Sequence, residues 1–207
     1  VEMMKYLDAM DESCSIIGAV NTVSNKDGIL KGYNTDMDGF LEPFKKRNLS
    51  VKNLKILLLG AGGAARAIIV GLAKEHAQCI TIANRTLENA NNMVKFSNKI
   101  GLNANAIKLD SVGDTAKNYD VIVNATSVGL KNEPSPISMD GVNSKTIVYD
   151  IVYMPINTDF IKKAKEVGAT VIYGYEMLLG QAVRAFEIWH GMEAPYNAMK
   201  KALLGGT

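Results

Sequence analysis

Gly60-Ala61-Gly62-Gly63-Ala64-Ala65-Arg66 directly follows the apolar run Ile56–Leu59 and opens a second apolar stretch. A dinucleotide pyrophosphate needs three things at such a place: a tight turn, a point where backbone approaches without a Cβ, and free N–H groups at a helix N-terminus. Gly60, Gly62 and Gly63 offer all three. The cluster is Gly-x-Gly-Gly with Ala65 where a third glycine would stand, so a close-packed turn is the alternative reading.

A second element lies at Ala83-Asn84-Arg85-Thr86. NAD enzymes carry an acid at this point for the adenosine ribose hydroxyls; here a guanidinium and a hydroxyl stand instead, and these can bind a 2′-phosphate that an acid would repel. NADP is therefore expected over NAD. Thr86 is also placed to cap the following helix, with Arg85 simply solvated. Further on, Asn124-Ala125-Thr126-Ser127 closes a short apolar run at the edge where a nicotinamide would sit. Near the start, Gly18-Ala19-Val20-Asn21-Thr22 and Gly32-Tyr33-Asn34-Thr35-Asp36 carry two amides and a carboxylate. By spacing alone these could be turn residues.

These groups need elements to hold them. From Leu54 onward, short β-rich runs (Lys55–Leu59, Cys79–Ala83, Asn105–Leu109, Val121–Asn124, Ile147–Ile151, Thr170–Ile172) alternate with helical patterns at Ala64–Glu75, Leu87–Lys99 and Asp159–Val167. That alternation predicts an α/β fold, a Rossmann-like doubly wound parallel sheet with right-handed crossovers. Upstream, Val1, Met4, Leu7 and Met10 have helical spacing up to Asp11. Ile16–Val23 and Ile29–Thr35 read as a hairpin around the polar turn Ser24–Gly28. Asp36–Lys46 reads as a helix with acids in its first turn, and two helices close the chain at Glu176–Trp189 and Pro195–Leu204. The expected division is residues 1–48 as a remnant of a smaller α/β substrate domain, 49–174 as the NADP-binding domain, and 175–207 as helices packing back toward the substrate side.

The 207 residues are 47% hydrophobic, enough to fill a core. A net charge of +2 from 23 basic and 21 acidic residues leaves no field to hold a polyanion, so neither nucleic acid nor a membrane surface is an expected partner. Lys45-Lys46-Arg47 reads as a solvated helix end. Cys14 and Cys79 form no CxxC and suit a reducing compartment, and no signal-peptide start or ~18-residue apolar span occurs; a cytoplasmic protein is expected. His76 and His190 lack partners at ligand spacing, so no metal is expected.

These pieces occur together and in this order in the shikimate dehydrogenase family, which the chain resembles over nearly its whole length. The matching segments are 18–22, 34–36, 60–64, 84–86, 124–126, Asp150-Ile151-Val152-Tyr153-Met154-Pro155 and Gly180-Gln181-Ala182. The resemblance implies reduction of 3-dehydroshikimate to shikimate with NADPH, in aromatic amino acid biosynthesis. It implies a catalytic Lys–Asp pair in which Asp36 matches the Asp. It also implies substrate contacts from Asn21, Asp36, Tyr153 and Gln181, and cofactor contacts from Gly60, Ala61, Gly62, Gly63, Ala64, Asn84, Arg85, Thr86, Asn124, Thr126 and Gly174.

The departures are specific. The family's Lys closes an Asn-Val-Thr-x-Pro-x-Lys segment, and a Ser-x-Ser motif further upstream holds the substrate carboxylate; neither segment is among these residues. Lys5 and Ser13-Cys14-Ser15 are look-alikes in the wrong place. The chain is thus expected to be a truncated, poorly active form that binds cofactor, with the apolar residues near its start left uncovered or buried against a second copy in a homodimer. Asn89 stands one helical turn past Asn84-Arg85-Thr86 where many NADP-using members are basic, which points to weaker phosphate affinity and some NAD use. A quinate or dual quinate/shikimate dehydrogenase and a catalytically silent nucleotide-binding module are the competing readings.

Overall fold

Six parallel strands form the larger sheet: β4 (Lys55–Leu59), β5 (Cys79–Asn84), β6 (Ala104–Lys108), β7 (Val121–Asn124), β8 (Ile147–Asp150) and β9 (Thr170–Ile172), in the spatial order β6-β5-β4-β7-β8-β9. The computed structural model describes residues 2–205, the side chain at position 114 excepted. Strand β4 reads Lys-Ile-Leu-Leu-Leu because helices cover both faces of a parallel sheet and leave no wet side for alternation. Its residues divide between two cores. Ile56 and Leu58 pack with Ile68, Leu72 and Phe40, whereas Leu57 and Leu59 pack with Val148 and Phe160. The strand order reverses between β4 and β7, and open sheets of this kind bind ligands outside the carboxyl ends at that reversal.

Helices α3 (Gly63–Lys74), α4 (Leu87–Lys99) and α5 (Asp159–Glu166) supply crossovers, each within a residue of its expected bounds. A second sheet of three strands, β1 (Ala9–Met10), β2 (Thr22–Lys26) and β3 (Ile29–Tyr33), lies upstream in the order β1-β3-β2, followed by helix α2 (Asp36–Lys46).

The first thirty residues depart from expectation. In place of one helix reaching Asp11, a 3-10 turn at Glu2–Tyr6 leads into β1, which pairs parallel with β3; Val1 lies outside the described residues. Helix α1 (Glu12–Ile17) then starts where a helix was expected to end. The reason is local capping: Asp11 accepts from the Cys14 N–H at 2.9 Å and from the Ser13 hydroxyl at 2.6 Å, so it begins a helix. Gly18, at φ +73°, ends it and sends its N–H to the Cys14 carbonyl. Ile16 and Ile17 are therefore helical, not the start of a strand. The hairpin turn is also shorter than expected. Asp27 (φ 54°) and Gly28 (φ 85°) make a two-residue turn whose positive φ values match strand twist, and β2 runs on to Lys26.

The basic run at 45–47 is not simply solvated. Arg47 donates through both terminal nitrogens to Glu176, one contact at 2.8 Å, and Lys46 sits 3.8 Å from the centre of the Tyr196 ring. These ties fix α2 to α6 (Gly174–His190) and α7 (Tyr196–Leu203). Where α2 and α6 cross, glycine faces glycine: a Cβ at Gly180 would stand 3.0 Å from the Gly39 Cα, and one at Gly39 only 2.7 Å from the Met177 carbonyl oxygen. Backbone-to-backbone approach on this scale requires the missing side chains. Trp189, at the far end of α6, donates to the Val23 carbonyl at 2.9 Å and so ties the helix to the small sheet. Among the described residues no helix is long and apolar enough to cross a membrane, and no cluster of His, Cys, Asp or Glu could hold a metal ion.

Candidate active site

Asp36 is the first residue of α2, and its surroundings are set by two amides. Asn21 donates from Nδ2 to Asp36 Oδ1 at 2.9 Å, while its Oδ1 accepts from the Thr35 N–H at 3.0 Å. With its oxygen taken by the N-terminus of α2, the Asn21 amide has one orientation, NH2 toward the carboxylate. Asn34 is buried, donates to the Ala19 carbonyl at 3.1 Å and accepts the Asp36 N–H at 3.0 Å. The two segments that looked like ordinary turns are thus laced into one support for a carboxylate. Burial pushes the Asp36 carboxyl above the usual carboxylate range, and the Asn21 hydrogen bond pulls part of the way back.

Asp36, Ala64, Ile151, Tyr153, Gly174, Met177, Leu178 and Gln181 line one cavity of about 180 Å³. Three residues expected at the substrate and two expected at the cofactor therefore meet in one space. Gln181 reaches it because the Gly39–Gly180 crossing lays α6 directly on α2, and its Oε1 accepts from the Thr35 hydroxyl at 3.4 Å. Gly174 reaches it because its backbone lies against the Val152 carbonyl, where a Cβ would come within 2.3 Å. Ile151, Met177 and Leu178 give the cavity an apolar wall that the sequence reading missed; only the spacing of Met177 and Leu178 from Gln181 on one helix could have signalled it. A larger cavity of about 330 Å³, lined among others by Glu12, Ser13, Ile16, Met37 and Lys74, holds none of the expected site residues.

The glycine turn fits a pyrophosphate. A Cβ added at Gly62 or Gly63 meets nothing within 4 Å, no side chain caps the N-terminus of α3, and its first turn carries no acid. The helix dipole and its leading N–H groups thus face open space. Gly60 is constrained differently: φ is +104°, and a Cβ there would lie 2.7 Å from the Ala125 carbonyl. That contact seats the loop after β7 against the turn after β4.

The remaining expected cofactor residues divide into two kinds. Arg85 and Thr86 are exposed at the end of β5; Thr86 occupies the N-cap of α4 with no capping bond from its hydroxyl, and Asn84 Nδ2 donates to the Thr86 carbonyl at 2.9 Å. Asn124, by contrast, is fully buried. It donates to Asp150 at 2.9 Å and to the Val128 carbonyl at 3.1 Å, and accepts from the Thr126 N–H and hydroxyl. Its side chain shapes the 124–128 loop from within. Asp150 is held the same way by Asn124, Thr158 and the Val152 N–H; burial raises its carboxyl, and those bonds oppose the rise. Of the look-alikes, Ser13 and Ser15 bond to Asp11 in the cap of α1, and Lys5 is exposed in the 3-10 turn.

Residues 44–147 match the family model described as shikimate / quinate 5-dehydrogenase, and residues 174–204 match that of the shikimate 5'-dehydrogenase C-terminal domain. The chain is 75% identical over 206 residues to shikimate dehydrogenase (NADP(+)) of Nitrosopumilus maritimus, covering 100% of this chain and 76% of that protein. Shikimate 5-dehydrogenase from Thermus thermophilus, solved in complex with NADP(H) and shikimate, superposes with a TM-score of 0.85 at 34% identity over 99% of this chain and 74% of that one. Quinate dehydrogenase from Corynebacterium glutamicum, solved with NAD, superposes with a TM-score of 0.92 at 28% identity, covering 99% and 74%.

Proposed function

The chain belongs to the shikimate dehydrogenase family, and from that premise we propose that it interconverts 3-dehydroshikimate and shikimate with NADP(H). The observation that carries this reading is the shared cavity: Asp36, Tyr153 and Gln181 face the same space as Ala64 and Gly174, the cofactor side of the sheet. When bound, NADP(H) supplies or takes the hydride. Asp36 holds or releases the proton at its carboxylate, oriented by Asn21, while Gln181 and Tyr153 position the ring and its carboxylate. The apolar wall of Ile151, Met177 and Leu178 keeps water from the reacting atoms. Gly60, Gly62 and Gly63 cradle the pyrophosphate, with Ala61 and Ala64 in the same turn. Asn84, Arg85 and Thr86 take the adenosine end and its 2′-phosphate, and Asn124 and Thr126 hold the loop beside the nicotinamide.

We read residues 1–48 as the substrate side, 49–174 as the cofactor domain and 175–207 as helices closing back on the substrate side, in a cytoplasmic enzyme. A homodimer is the assembly we propose. Sedimentation as a monomer at all concentrations would remove it.

The test is titration of the 207-residue chain with NADP(H) and NAD(H) by fluorescence, beside a spectrophotometric assay with shikimate and with quinate. The Lys that the family pairs with Asp36 is not in a matching segment of these residues. The expected result is therefore clear NADP binding with slow shikimate oxidation. Failure to bind either cofactor would overturn the reading, and turnover matching the relatives would direct attention to Lys5 as the proton-transfer partner.

A further inference from the structure

We propose that Lys108, at the end of the edge strand β6, is a second cationic anchor for the 2′-phosphate of NADP and shares with Arg85 the discrimination against NAD. The inference rests on the reading of this chain as an NADP-binding enzyme and adds to it a residue that lies outside the Asn84-Arg85-Thr86 segment. Strands β5 and β6 pair parallel with Asn84 opposite Lys108, which puts Lys108 level with that segment on the neighbouring strand, ~4.8 Å away across the sheet. Arg85 and Lys108 line one cavity of about 280 Å³ together with Leu109, Asp110 and Pro136.

Three further observations support a phosphate there. Among the described residues neither Arg85 nor Lys108 takes part in a salt bridge, so both charges are available. Position 89, in the first turn of α4, is Asn and offers a phosphate no charge, which leaves Lys108 as the cation beside Arg85 in this cavity. The lining of this cavity carries two cations against one acid, Asp110. A phosphate monoester near −2 favours a place beside both cations, and Leu109 and Pro136 offer apolar surface to the adenine beside it.

The experiment uses 2′,5′-ADP and 5′-AMP, which differ only by the phosphate in question, as ligands for the wild-type chain, Lys108→Ala and Arg85→Ala, with affinities measured across a salt series. Lys108→Ala is expected to weaken 2′,5′-ADP by ~5–20-fold, discounted for an exposed site. It should leave 5′-AMP within about twofold and flatten the salt dependence. Lys108 is exposed, so folding is not at stake, and Lys108→Arg should retain the preference. Unchanged 2′,5′-ADP binding in Lys108→Ala, or equal loss of both ligands, would overturn the inference while an intact Arg85 effect leaves the NADP reading standing. A wild-type chain that does not distinguish the two ligands would overturn both.

Discussion

Asn21 and Asp36, fifteen positions apart in sequence, are joined by an amide-to-carboxylate hydrogen bond of 2.9 Å. The bond spans the hairpin: Asn21 precedes β2 and Asp36 follows β3, and the antiparallel pairing of Thr22 with Tyr33 brings the two ends together. The carboxylate is thus positioned by sheet register, with the oxygen of the Asn21 amide fixed by the start of α2.

Replacing Asp36 by Asn is expected to lower shikimate turnover by ~10²–10⁴-fold, the range for loss of a positioned acid–base group. KM for shikimate should change far less, because the amide still accepts a hydrogen bond from Asn21. Steady-state kinetics in a chain that carries the partner Lys make the comparison, and near-normal kcat would remove Asp36 from the chemistry.

The same substitution should have the opposite effect on stability at neutral pH. Burial raises the Asp36 carboxyl, so the ionised form carries a desolvation cost at pH values above the raised folded-state pKa and none below the usual carboxylate range, where the group is protonated folded or unfolded. Asp36→Asn should therefore melt higher than wild type at pH 7. The difference should shrink as pH falls through that interval. Thermal denaturation at pH 7, 5.5 and 4 reads it, and a variant that melts lower at pH 7 would show that the Asn21 bond outweighs the burial.

Gly39→Ala should destabilise the fold by ~1–3 kcal/mol, the usual cost of forcing a methyl group into a packed interior. Its Cβ would meet backbone on α6, the Met177 oxygen at 2.7 Å and the Gln181 nitrogen at 2.8 Å, and backbone cannot rotate aside as a side chain can. The shift should also displace Gln181 and raise KM for shikimate. Urea denaturation with an unchanged midpoint would mean that α2 and α6 separate at little cost.

Arg85→Ala should weaken NADP by ~5–20-fold, as for one charge-assisted hydrogen bond discounted for an exposed site, and leave NAD nearly untouched. Isothermal titration with both cofactors decides it. Equal losses would place Arg85 against the ribose or adenine, away from the phosphate.

Much of this molecule was legible in its residues because local chemistry settles it. A run such as Lys55–Leu59 followed by Gly60-Ala61-Gly62-Gly63 specifies strand, turn and helix through apolar content and freedom from Cβ, and Asp36–Lys46 declares its helix through acids at one end and bases at the other. The first thirty residues resisted for the converse reason. The apolar spacing of Met4, Leu7 and Met10 fits a helix, but Asp11 caps the next segment and β1 exists only because β3 lies beside it to accept its hydrogen bonds. Arg47 looked solvated until α6 brought Glu176 to it, across 129 positions of chain. Lys108 shows the limit most plainly. Nothing near it in sequence points to a phosphate, and only the pairing of β6 with β5 sets it opposite Asn84, because strand register is a relation between distant segments that no local pattern encodes.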